Sequence, residues 1–139
     1  MFVPWLEAEA DAATLAVAEA TNRTEAIGSF VHAVAGFHLA DLDRFRMMYL
    51  VPQATRDRSN DRGQTVLGEP VYSVTSRLYG ALADHLDGEQ AAKRKEAVAI
   101  HSAVPGLVLM VALADALHDP LKHTEYDLVK ALIASLVTN

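Results

Sequence analysis

Apolar residues recur along this chain at intervals of three and four, and runs of β-branched residues that would mark strands are scarce. That period predicts helices. The first is expected from Pro4 to Ala20, because proline suits the first helical position, where its missing N–H would be unpaired anyway. Its apolar stripe reads Trp5, Ala8, Ala12 and Leu15 or Ala16. The second is expected from Asn22 or Thr24 to Leu39, with Asn22 and Glu25 in capping-box spacing. Ile27, Phe30, Val31, Val34, Phe37 and His38 form its apolar face. Beside that face lie Gly28, His32 and Gly36, each four residues apart, leaving space around His32 for a close helix crossing or a ligand.

A short third helix is expected from Asp41 to Leu50, capped by Asp41 or Asp43 and ended by Pro52. Gln53 to Gly63 is the longest polar stretch and reads as an exposed connection, its charges alternating in sign. The fourth helix is expected from Thr65 or Pro70 to Leu86, with a stripe of Leu67, Val71, Val74, Leu78, Leu82 and Leu86. A second line beside it carries Tyr72, Ser76, Tyr79 and Ala83, and Gly88 supplies the stop. The fifth, Glu89 to Leu117, starts charged and turns wholly apolar after Ala97; Pro105 within it is expected to introduce a kink. Thr124 and Asp127 cap the sixth, which runs to Thr138 and is apolar at Leu128, Val129, Leu132, Ile133, Leu136 and Val137.

Composition narrows the class. The 139 residues fit one domain, here read as residues 1–139, and 24 of them are alanine, which favours an all-α fold. There is no cysteine, so disulfide scaffolds, thiolate metal sites and cysteine nucleophiles are excluded. The net charge of −6 argues against direct nucleic-acid binding by this chain. Met1 to Trp5 has no basic segment and no long apolar stretch, so no secretory signal is expected and the location reads as cytoplasmic. Ala97 to Ala114 is uncharged and long enough to raise the question of a membrane span. His101, Ser102, Pro105 and Gly106 interrupt it, so it reads as a helix covered on every side in a bundle, and no membrane partner is expected.

The order of these helices resembles the C-terminal domain of the tetracycline-repressor (TetR) family of bacterial regulators. The resemblance spans nearly the whole chain and rests on several segments taken in order. These are Pro4-Trp5-Leu6-Glu7-Ala8-Glu9, Asp43 to Leu50, Ser76-Arg77-Leu78-Tyr79-Gly80-Ala81-Leu82, Ala103 to Met110, and Asp127 to Ile133. It implies a six-helix bundle that binds a small ligand between its helices. It also implies a homodimer through helices 89–117 and 124–138, which form a four-helix bundle across the two subunits. Family members carry a helix-turn-helix DNA reader ahead of such a domain. This sequence has neither a recognition helix nor basic phosphate contacts, so the expectation is a sensing and dimerisation domain lacking its own DNA-binding module.

The pocket expected for a small, largely apolar ligand draws on three helices: Phe30, His32 and Phe37; Tyr72, Ser76 and Tyr79; and His101, Ser102 and Pro105. Met47 and Met48 are candidates to close one end. No cofactor and no metal are expected. Asp115, His118, Asp119 and His123 have ligand chemistry, but they sit at a helix end where Asp and His are common caps. No nucleophile elbow, metalloprotease motif or phosphate loop occurs, so no enzyme is expected. The alternatives are a helical dimerisation module with a filled core and no ligand, or a small helical enzyme.

Overall fold

The computed structural model describes residues 2–50, 61–119 and 121–138, the side chains of residue 2 and of residues 61–69 excepted. The described residues are all-helical and contain no strand. Six helices follow in order: α1 (Phe2–Val17), α2 (Arg23–Leu39), α3 (Leu42–Phe45), α4 (Asp61–Ala83), α5 (Gln90–Leu117) and α6 (Glu125–Val137). A single π-helical turn, Arg46–Leu50, continues α3 where one α-helix was expected. Most of the expected connection, residues 51–60, lies outside the described residues. Asp61, Arg62 and Gly63 belong to the first turn of α4, which begins ahead of the expected Thr65 and runs through Pro70.

Local signals set the helix ends. Asn22 Oδ1 accepts the Glu25 N–H at 2.9 Å. The Glu25 carboxylate reaches one residue further back than a capping box requires, accepting from the backbone N–H and hydroxyl of Thr21. Asp41 Oδ1 accepts from Arg44 N–H, and Thr124 Oγ1 from Asp127 N–H. His118 closes α5 in the left-handed region, with φ 56°. Gly88, at φ 107°, adopts a backbone that a side chain would strain in the turn between α4 and α5.

The helices pack around α2. Its residues Ile27, Phe30, Val31 and Val34 are fully buried, with α1, α5 and α6 against it. α4 packs on α1 and α5, burying Val74, Leu78 and Leu82 as its periodicity predicts. α1 departs from the expected stripe. Its buried residues are Leu6, Glu9, Ala10, Ala13 and Val17, whereas Ala8 is exposed and Leu15 is 79% exposed. α1 is rich in alanine on several sides, so small apolar residues do not fix which side turns inward; packing against α2 and α4 does. The apolar side of α6, expected to be free for a partner, lies largely on α2: Val129 is buried, and Leu132, Ile133, Leu136 and Val137 are half-buried. A Cβ at Gly28 would lie 3.8 Å from Ile133 Cγ2, an ordinary contact distance, so α6 approaches α2 here without requiring a glycine. α5 runs through Pro105 as one helix.

Candidate functional site

A charged residue sits on the inward side of α1. Glu9 falls in register with Leu6, Ala13 and Val17, so burying those residues carries its carboxylate into the core, where its exposure is zero. Three groups from other elements meet it. His38 Nε2, on the last turn of α2, lies 2.9 Å from Glu9 Oε2. His101 Nε2, from α5, lies 2.9 Å from the same oxygen. The Tyr49 hydroxyl, on the π-helical turn, donates to the carboxylate at 2.9 and 3.0 Å.

The electrostatics follow from this arrangement. Burial by itself would raise the Glu9 carboxyl. The hydrogen bonds from His101 and His38, together with their charge, outweigh it and hold the group down at about 2. An ionised carboxylate only accepts, so both imidazoles donate through Nε2. Burial, then the Glu9 charge and hydrogen bond, push the Tyr49 phenol upward, so Tyr49 stays a donor. Tyr79 is raised by burial and by the Glu9 charge, against an opposing pull from Arg94. Its ring meets the His101 ring edge-on at 5.4 Å. The rings of Phe37, Phe45 and Tyr49 enclose His38, each 5.0–5.3 Å from it, and His38 Nδ1 is buried without a hydrogen-bond partner.

Chemically, this cluster ties α1, α2, the π-helical turn and α5 to one carboxylate. Its carboxylate is fully buried and bonded to all three donors, so the cluster joins these elements from within the core.

The expected pocket residues divide. Phe30 and Tyr79 both pack on His101, with Phe30 edge-on at 6.1 Å, so one residue each from α2, α4 and α5 meets at this cluster. Met48 is buried in the adjoining core, and Phe37 is half-buried beneath the Arg44 guanidinium at 3.8 Å. The others lie elsewhere. His32 is exposed and stacks on Tyr126 of α6, while Met47 is exposed and Tyr72 is 66% exposed. Ser76 and Pro105 are half-exposed. Ser102 points outward and donates to the Val98 carbonyl at 2.7 Å. Glu9 and Tyr49 were not expected in any site, and His38 was placed only on an apolar face. No signal in the sequence marks Glu9, because the buried side of α1 is set by packing and not by its alanine-rich pattern.

Asp115, His118, Asp119 and His123 line an open surface hollow of about 440 Å³. No group of three or more His, Asp or Glu among the described residues is arranged to hold a metal ion. α5 is long and apolar enough to cross a membrane by length and composition, and its inner side is built into the core through Ile100, Val104 and Val108. Comparisons with protein-family models, with curated proteins and with solved structures find no match to this chain.

Proposed function

We propose that this chain is the small-molecule-sensing and homodimerisation domain of a TetR-like transcriptional regulator. On this reading it works in the cytoplasm, is not an enzyme and does not itself contact DNA. The observation that carries the proposal is the outer side of α5. Leu109, Met110, Leu113 and Leu117 are all exposed there, between 41% and 65%, on a helix whose other side is core. Contiguous exposed apolar surface of this kind marks an interaction site. The meeting of Phe30, Tyr79 and His101 from α2, α4 and α5 supports a ligand site at that junction, with the polar groups of the Glu9 cluster beside it. A small, largely apolar molecule entering there would bias the packing of α5 and so the geometry of the pair.

A second reading has its own support. The junction residues pack on one another and Glu9 is fully bonded, which favours a filled dimerisation module with no ligand. A thermal-shift screen with hydrophobic small molecules separates the two. Sensing predicts compounds that raise the melting temperature of the dimer, with the rise lost in Tyr79→Leu although that variant still dimerises. A filled module predicts no rise with any compound. A monomer by sedimentation would sink both readings.

A further inference from the structure

Gly28, His32 and Gly36 share one line along α2, yet the two glycines meet different surroundings. Beside Gly28 the space is taken by α6, whose Ile133 side chain lies at contact distance from where a Cβ would stand. A Cβ at Gly36 would meet nothing within 4 Å. Glycine is a poor helix former, and no crossing helix occupies the room this one leaves.

That room is part of a hollow of about 220 Å³ between the end of α2 and the first turns of α6. Ala35, Gly36, Leu39 and Val129 give it an apolar lining, and Ala35 and Val129 are themselves buried core residues. The rings of His32 and Tyr126 also line it, inclined at 30° to each other with centroids 6.3 Å apart. Glu125 completes the lining and is exposed, so its carboxylate stands at the rim. None of these residues belongs to the Glu9 cluster.

Size, shape and charge select the occupant. An apolar cavity of about 150 Å³ takes a benzene ring, so this hollow accommodates one ring or two small fused ones. The flat faces of His32 and Tyr126 favour a planar molecule that stacks on them. A small cation is disfavoured, because Lys130 Nζ already stands 5.6 Å from the centre of the Tyr126 ring. A small anion is repelled by the Glu125 carboxylate. An uncharged ring with an N–H or O–H meets neither obstacle, and that carboxylate can accept its hydrogen.

We infer that the hollow beside Gly36 binds a small, uncharged aromatic molecule bearing a ring N–H or O–H, stacked on His32 and Tyr126 and bonded to Glu125. This site is independent of the junction of α2, α4 and α5 and of any dimer. Indole is the probe, titrated into the isotope-labelled chain and followed by NMR. It is expected to shift amides in residues 32–39 and 125–129 and to leave those of Glu9, Tyr79 and His101 in place. N-methylindole, which keeps the ring and loses the donor, is expected to bind about fivefold more weakly. Gly36→Leu fills the hollow with a better helix former and is expected to weaken indole at least about tenfold, with circular dichroism checking the fold. Should that variant unfold, Tyr126→Ala, at a position 63% exposed, carries the same expectation. No shift with indole, shifts confined to the junction, or undiminished binding in the folded variant overturns the site. Equal binding of the two indoles overturns the role of Glu125.

Discussion

The two sides of α5 are opposites. The inner side carries Ile100, His101, Val104 and Val108, all buried, and its polar member bonds to a carboxylate from α1. The outer side carries Ala99, Ser102, Gly106, Met110 and Leu113, all exposed, and its polar member bonds to its own helix. Inside, a costly polar group is tolerated because three donors converge on it. Outside, the polar content is turned away, so an apolar surface remains. The comparison teaches that one helix serves two interfaces, one that determines folding and one that is proposed to determine association.

The sharpest way to break the comparison is to remove the inner anchor. Glu9→Ala leaves two imidazoles and a phenol facing one another with no acceptor, and is expected to cost about 3–5 kcal/mol of unfolding free energy. Urea denaturation measures it, and a loss no larger than that of an exposed alanine substitution would contradict the site described here. Acid should act on the same bond. The Glu9 carboxyl is held at about 2 in the folded chain against an ordinary 4.5. Its stabilisation is therefore fully present above pH 4.5 and is lost as pH falls toward 2, a change of about 3 kcal/mol. Urea midpoints measured across that window should fall in the wild type and flatten in Glu9→Gln.

Smaller effects sharpen the boundary between the two sides. Tyr49→Phe removes one donor and leaves the two imidazoles, for an expected loss of about 1.5–3 kcal/mol in chemical denaturation. Asn22→Ala, which removes the α2 cap, should cost about 1 kcal/mol. Leu113→Glu on the outer side should change the folding stability of a single chain by no more than about 0.5 kcal/mol. The same variant should abolish association by sedimentation. If Leu113→Glu instead unfolds the chain, the outer side is not separate from the core.

Much of the fold was legible from residues close in sequence. Asn22, Asp41 and Thr124 mark helix starts because a cap acts on an N–H two or three residues away. The buried lines of α2 and α4 follow from period, because large side chains such as Phe30 and Leu78 have one side to hide on. The start of α1 illustrates the opposite case. Ala8, Ala12 and Ala16 are too small to compel a side, and the larger Leu15 ended outside. The site was less legible. His101 and Tyr79 were expected in it and do meet, whereas His32 and Tyr72 sit on the same helices as true neighbours of the cluster but face away.

By itself, then, the amino-acid order determined an all-helical chain, most of its helix boundaries and an α5 too apolar for one covered side. Tertiary structure alone decided that Glu9 would find His38 and His101, which lie 29 and 92 residues away along the chain. The physical reason is range. Capping, propensity and periodicity act within about one or two helical turns. Which distant side chains meet depends on how whole helices cross, and that is set only when all of them pack at once.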